Sequence, residues 1–284
     1  MRYCGREFTA QEIESIRSLI AEDATRLRVH ISRKVCEQLR WYKPDGNLKE
    51  MSCRVALLRM QTDGLIGLPP PRNGNGNSKP YKRRSADTEP ELPFSAKAKE
   101  LTDLKLELVL SRRQSHLWNE YIDRYHYLGY KPLPGAQLRY TATAQGRLLA
   151  LLGFGAAAWI TMPRDSFIGW SEQQRRKNLH LIANNARFLI LPWISCKFLA
   201  SKLLSICAKR IPIDWENRYG YRPVLLETFV ENRFQGTCYK AANWIHVGET
   251  TGRGKLEKRK RPVLPKKQIF LYPLQSNFRR VLCS

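Results

Sequence analysis

The sequence lacks paired cysteines and a long hydrophobic run, and we expect it to lack a secretion signal. Its seven cysteines are scattered, and no two are spaced as C-x-x-C, so neither a disulfide framework nor a zinc site is indicated. The uncharged stretch at residues 148–163 is shorter than the roughly 18 residues that a membrane span needs. It predicts a buried strand instead. No charged segment followed by an apolar one opens the chain, so we expect a cytoplasmic protein without a membrane partner.

Acidic residues are far fewer than basic residues in this chain. The chain has 25 Asp and Glu against 49 Lys and Arg, a formal net charge of +24. Such a surface attracts polyanions because each neutralised phosphate releases a condensed counterion. Residues 1–71 hold 12 basic and 9 acidic residues, whereas residues 250–284 hold ten and one. Nucleic acid is therefore the predicted partner, and the alternative is a basic surface that only keeps the protein soluble.

A basic run near the C-terminus is predicted to contact phosphates. Residues 252–267 contain eight basic residues and one acid, and Gly252 and Gly254 allow a backbone to approach a phosphate closely. The alternative is a solvated charge run. The predicted phosphate-binding residues are Arg253, Lys255, Lys258, Arg259, Lys260 and Arg261.

Three segments of the chain differ in composition. Residues 1–71 have helical periodicity, and residues 98–284 alternate strand-like and helix-like patterns. Residues 72–97 are rich in Gly, Asn, Pro and charge, which predicts a flexible linker because such a composition cannot bury a core. The predicted fold class is α+β, with a helical domain, a linker and a mixed α/β domain.

The first segment has the element order of a winged helix-turn-helix domain. Thr9-Ala-Gln-Glu12 forms a capping box that starts the first of three predicted helices, and residues 65–72 are predicted to form a short wing. In the third helix, Met51, Val55 and Leu58 are predicted to point inward. An outward face that reads DNA is predicted to carry Lys49, Arg54 and Arg59. The alternative is an ordinary three-helix bundle.

The third segment resembles the acetyltransferase fold of the GNAT superfamily. An antiparallel hairpin is followed by a strand, helix, strand, helix, strand order, and residues 232–248 are similar to that superfamily's late motif. The resemblance implies that Tyr239 is a general acid. The superfamily holds the CoA pyrophosphate with a glycine-rich loop at a helix N-terminus. The matching residues 191–200 contain no glycine, so acetyl-CoA is not supported and the cofactor stays unknown.

A second resemblance covers nearly the whole chain. Several uncommon strings are similar to the DruA family of Druantia anti-phage defence systems, whose members also occur near mobile elements and in part carry a transposase label. The strings occupy residues 51–58, 64–66, 68–72, 165–170, 184–190, 214–215, 226–229 and 236–244. The resemblance implies a DNA-binding protein that acts on DNA in defence or mobility, with DNA and other defence-system proteins as partners.

Three carboxylates are candidates for catalysis. Glu227 interrupts an apolar strand, where an unpaired charge is costly, so it is either paired with Arg187 or Arg222 or used in chemistry. If Asp165 and Asp214 converged with it on Mg²⁺, the site would suit a metal-dependent nuclease or transposase. The alternative for both aspartates is a loop cap.

Other side chains near these positions suggest further roles. Cys238 is either a nucleophile at a helix N-terminus or a buried structural cysteine. Asn185, Arg187 and Asn243 offer donors to a base or phosphate, or serve turns and ion pairs. An aromatic cluster either stacks unpaired bases or packs in the core, and it consists of Trp118, Tyr121, Tyr125, Tyr127 and Tyr130. A group transferase that modifies nucleic acid is the remaining alternative function.

Overall fold

The chain forms two compact units. The computed structural model describes residues 1–23, 25–43, 46–72, 84–158, 160–252 and 265–284. The units are Met1–Lys79 and Pro80–Ser284, so the division lies within the predicted linker at 72–97. None of the helices in these described ranges combines the length and the apolar character that crossing a bilayer requires.

The first unit is a small helical domain with an N-terminal hairpin. The predicted capping box is confirmed, because the Glu12 amide donates to the Thr9 hydroxyl at 3.1 Å and the Thr9 amide donates to the Glu12 carboxylate at 3.0 Å. Ile13 and Ile16 of the first helix are buried in the core of this unit. The elements are β1 (Arg2–Tyr3), β2 (Arg6–Glu7), α1 (Ala10–Ala21), α2 (Arg28–Gln38) and α3 (Glu50–Thr62).

Two predictions for this unit were wrong. The predicted inward face of α3 is exposed at Met51, Val55 and Leu58. The buried face of α3 consists of Cys53, Ala56, Leu57 and Met60. The small side chains of Cys53 and Ala56 allow α3 to pack closely on α2. The larger side chains of the exposed stripe, Met51, Val55 and Leu58, would hold the two helices further apart. The predicted wing is absent as well, because residues 65–72, all of which are described, contain no strand.

The second unit contains the remaining elements, in an alternating order. They are β3 (Phe94–Lys97), β4 (Lys105–Leu108), α4 (Arg112–Tyr125), β5 (Gln137–Ala144), β6 (Arg147–Ala156), α5 (Met162–Ile168), α6 (Glu172–Asn178), β7 (Ile182–Ile190), β8 (Ile194–Lys197), α7 (Leu199–Tyr219), β9 (Leu225–Glu231), α8 (Thr237–Ala241), β10 (Ile245–Glu249), β11 (Lys267–Pro273) and α9 (Phe278–Leu282). The mixture of helices and strands confirms the predicted α+β class.

A seven-stranded sheet organises this unit. Its order is β10-β11-β9-β7-β6-β5-β4, and neighbours are antiparallel except for β7 and β9, which are parallel. The parallel pairing begins at Ile182 with Leu225 and ends at Asn184 with Glu227. Within the described residues, β7 and β9 are not paired beyond that point, so the two strands diverge toward their C-terminal ends and open a gap in the sheet.

The C-terminal part of the predicted linker, residues 84–97, is an ordered part of the second unit. β3 pairs in parallel with β8. The buried carboxylate of Glu120 accepts hydrogen bonds from Ser85 and Thr88, so a segment that is too polar to build its own core is fixed by a carboxylate of α4. The linker prediction therefore extends too far, and residues 73–83 lie outside the described residues. The short strand β4 separates this segment from α4.

Candidate functional site

A groove opens where β7 and β9 diverge. Its volume is about 670 Å³, and the end of α4, both diverging strands and the segment from Arg233 to Tyr239 form its walls. None of its lining residues in the described part of the chain carries a carboxylate. We call this cavity the β7/β9 groove.

One wall of the groove is a fixed hydrogen-bond network around Tyr239. The Tyr239 hydroxyl donates to Oδ1 of Asn185 at 2.7 Å, and Nδ2 of Asn185 donates to the carbonyls of Gly153 and Arg187. Burial raises the pKa of Tyr239. The phenol therefore keeps its proton near neutral pH, and that proton is directed to Asn185.

Cys238, beside Tyr239, does not have the environment of an activated thiol. Its side chain is half-buried, and burial raises the pKa of the Cys238 thiol. Hydrogen bonds from backbone amides in the short helix α8 oppose this shift and do not outweigh it. The nucleophile interpretation needs a lowered pKa, so the structural-cysteine alternative agrees better with these surroundings.

The opposite wall carries exposed rings and a guanidinium group. The ring centroids of Tyr127 and Phe234 are 5.3 Å apart. The guanidinium carbon of Arg233 lies 4.2 Å from the Tyr127 centroid and 4.9 Å from the Phe234 centroid. The His126 ring stacks on Tyr127 at 4.7 Å. Burial first, and then the charges of Arg187 and Arg233, lower the pKa of His126 to about 4, so this imidazole is neutral at pH 7.

The predicted aromatic cluster is divided between core and surface. Trp118 and Tyr121 are buried, and Tyr125 packs edge-on against Trp193. The hydroxyl groups of Tyr121 and Tyr125 donate to the carbonyls of Asp87 and Thr88. Tyr127 has an exposed ring in the groove, because it comes after the C-cap of α4, His126, and is no longer on the buried face of that helix.

Glu227 is paired with an arginine that the sequence analysis missed. Oε2 of Glu227 accepts from Nη1 of Arg164 at 2.8 Å, and both side chains are fully buried. The predicted partners do not make this contact: Arg222 pairs with Glu216, and Arg187 lies further along β7, opposite Gly153 of β6. Burial raises the pKa of Glu227 despite the nearby charge of Arg164. A signal was present in the sequence, since Arg164 directly follows the uncharged run at residues 148–163.

The three candidate carboxylates do not converge. Asp165 pairs with Arg164 at 2.9 Å and with Arg175 at 3.4 Å. Asp214 lies on α7, where it accepts from the Tyr140 hydroxyl at 2.9 Å and pairs with Arg210. Among the described residues, no group of three His, Cys, Asp or Glu side chains could hold a metal ion. The arrangement does not provide the convergence that the magnesium alternative requires, because Asp165 and Glu227 share Arg164 while Asp214 pairs with Arg210 on α7.

The remaining predicted nucleic-acid contacts have diverse surroundings. Arg54 pairs with Glu50, Lys49 is half-buried where α3 begins, and Arg59 is exposed on the last turn of α3. Asn243 has a φ of 61° in the turn between α8 and β10, a conformation that asparagine tolerates. Arg253, Lys255, Lys258, Arg259, Lys260 and Arg261 lie outside the described residues.

The residues that precede α7 do not fit the pyrophosphate of acetyl-CoA. They form β8, which pairs with β3, and Phe198 with a φ of 66° occupies the N-cap of α7. Nζ of Lys202, in the first turn, donates to the carbonyl of Ala98 at 2.7 Å. A diphosphate needs free backbone amides and a close backbone approach, which glycine permits. The absence of glycine from residues 191–200 thus agrees with the local structure.

The second unit has the GNAT-like fold that the sequence predicted, with a hairpin, a strand–helix–strand run and one parallel strand pair. Similar solved structures include spermidine/spermine N-acetyltransferase SpeG from Vibrio cholerae (12% identity, TM-score 0.39, 62% of this chain and 96% of that chain covered). They also include a GNAT-family acetyltransferase from Streptococcus pneumoniae (16%, 0.31, 48% and 67%). A third is the polyamine N-acetyltransferase from Drosophila melanogaster (12%, 0.37, 60% and 100%). Similarity at these identities and TM-scores is no evidence that this chain has the activity of those proteins.

The family is shown by a different comparison. The model of the family described as Druantia protein DruA matches residues 61–262, so the chain belongs to the DruA family. No curated protein matches the chain.

Proposed function

We propose that this DruA-family protein binds DNA, chiefly through its second unit, and acts on DNA in anti-phage defence together with other proteins of the Druantia system. The observation that carries the proposal is the placement of cations at the cavities of the second unit. The β7/β9 groove has Arg233 and no lining carboxylate among the described residues. Residues 72–284 hold 37 Lys and Arg against 16 Asp and Glu.

A second cavity of this unit supports the same proposal. Its volume is about 630 Å³, and it lies at the start of α4. Arg112 and Arg113 are exposed there, beside Arg84 and His116. Glu120, one of its two acidic lining residues, is turned toward Ser85 and Thr88. A phosphate backbone that passed this cavity would meet mainly positive charge.

The test is the salt dependence of DNA binding by the full chain. Fluorescence anisotropy with a labelled duplex should give a log K that falls linearly with log salt, by about 0.9 for each contacted phosphate. Replacing Arg112 and Arg113 with glutamine should reduce that slope by about 2. Replacing Arg222, an exposed arginine that pairs with Glu216, is the matched control. A flat slope for the wild-type protein would refute the proposal.

The transferase alternative retains one supporting observation. Tyr239, the residue that matches the general acid of the resembled superfamily, lies on the wall of a groove between diverging parallel strands. Its usual donor does not fit the start of α7. We therefore expect calorimetry with acetyl-CoA to give no binding heat, and a measurable affinity would favour acyl transfer over a DNA-binding role alone.

A further inference from the structure

Two aromatic rings in the β7/β9 groove are exposed to solvent. Tyr127 and Phe234 are each 44% exposed, although both have apolar rings that the core could have buried. Arg233 holds its guanidinium over both rings and also pairs with Glu231 at 3.2 Å, so the three side chains form a fixed platform. Exposed ring surface in contact with a cation is the kind of surface on which unpaired bases stack.

A second cation, Arg187, lies on β7 between Ala186 and Phe188, two residues that line the groove. Its charge, like that of Arg233, lowers the pKa of His126. Nε of Arg187 is buried without a hydrogen-bond partner, and its Nη1 donates only to the neighbouring carbonyl of Ala186. Within the described residues, no carboxylate lies at ion-pair distance from Arg187. A half-buried arginine whose Nε has no hydrogen-bond partner favours an anionic acceptor that comes from outside the protein.

We propose that this side of the groove binds one nucleotide of a single-stranded nucleic acid, with its base stacked on Tyr127 and Phe234 and its phosphate bound by Arg187 and Arg233. The inference rests on the proposed function and names its substrate. A single strand is favoured over a duplex because paired bases are stacked within the helix, whereas an unpaired base can turn its face to protein rings. The groove volume of about 670 Å³ is within the range of small-ligand sites.

The experiment measures affinity of the full chain for a labelled single-stranded oligonucleotide and for the corresponding duplex. Tyr127→Ala and Phe234→Ala should each weaken single-strand binding by about 5- to 150-fold, which corresponds to the loss of one stacked base. Tyr127→Phe should retain wild-type affinity because it keeps the ring. Arg187→Gln should lower the single-strand salt slope by about 0.7, as expected for one phosphate, and Arg187→Lys should restore it.

Two matched controls separate this site from general surface effects. Phe198→Ala removes a ring that is 76% exposed and outside the groove, and Arg222→Gln removes a surface cation. Both should leave the single-strand affinity unchanged, and circular dichroism should show every variant folded. Unchanged affinity in Tyr127→Ala and Phe234→Ala overturns the inference while DNA binding itself persists. Equal losses on single strand and duplex also overturn it, and a wild-type chain that binds neither probe contradicts the proposed function instead.

Discussion

Replacement of Arg164 by methionine tests the buried ion pair with Glu227. The Nη1–Oε2 distance is 2.8 Å and both side chains are fully buried. With an effective dielectric constant of 20, two unit charges at that distance attract by about 6 kcal/mol. Removing each charge from water costs several kcal/mol, so the intact pair is close to break-even. The raised pKa of Glu227 agrees, because it means that burial outweighs the attraction of Arg164.

Arg164→Met removes the attraction and leaves the cost of burying Glu227. We expect the free energy of unfolding to fall by about 3–5 kcal/mol, a large part of the stability of an ordinary domain. Urea unfolding of the full chain, followed by circular dichroism, would show this as a lower midpoint with an unchanged slope. The double variant Arg164→Met with Glu227→Leu should recover part of the loss, since neither charge of this pair then remains buried, whereas Asp165 loses Arg164 and keeps Arg175 as its partner.

The matched control is Arg222→Met, which breaks the exposed pair with Glu216. An exposed pair contributes about 0–1 kcal/mol, so this variant should unfold close to the wild-type midpoint. If Arg164→Met also unfolded there, or if the double variant were less stable than Arg164→Met alone, the assignment of a buried, mutually compensating pair would be wrong.

Three further outcomes are expected. The pKa of Glu227 is raised in the folded state. The protonated carboxyl therefore contributes fully to stability below about pH 4.5, and this contribution is lost as the pH rises through the folded pKa. Glu227→Gln should remove that decline in a pH series of urea midpoints. Gly236→Ala should lower the free energy of unfolding by about 1–3 kcal/mol more than Gly169→Ala. Both glycines have a positive φ, but only a Cβ at residue 236 would meet the Phe270 ring, at 2.6 Å. Equal urea midpoints for the two variants would contradict this. Thr9→Ala should lower the stability of the first unit by about 1 kcal/mol while Thr9→Ser preserves it, as measured by thermal unfolding, and an unaffected transition in Thr9→Ala would count against the cap.

Local features of the sequence were sufficient for several elements. The capping box at Thr9 joins groups only three residues apart, so its hydrogen bonds depend on no other part of the fold. The antiparallel hairpin was also predicted, and it corresponds to β5 and β6, where burial alternates along β5 before the turn at Gly146. The face of α3 was beyond such reasoning. Both stripes repeat at helical spacing, and the choice between them depends on how closely α2 approaches.

The candidate site could be predicted only in part. An acidic residue within an apolar strand identified Glu227 as a buried charge, and a string of aromatic residues included Tyr127. Neither pattern predicts which residue each side chain contacts. Arg164 is 63 residues from Glu227 along the chain, and Phe234 is more than a hundred residues from Tyr127.

The sequence by itself determined the charge of this protein, its α+β class and its family. The net charge of +24 needs no folding, and strand and helix periods follow from the backbone geometry of each segment. Tertiary structure decided which polar groups meet. The parallel pairing of β7 with β9 stops after Asn184 and Glu227, and this divergence creates the groove that gathers rings and guanidinium groups from separate segments. Pairing across a sheet depends on contacts far apart in the chain, so no local pattern encodes where it stops.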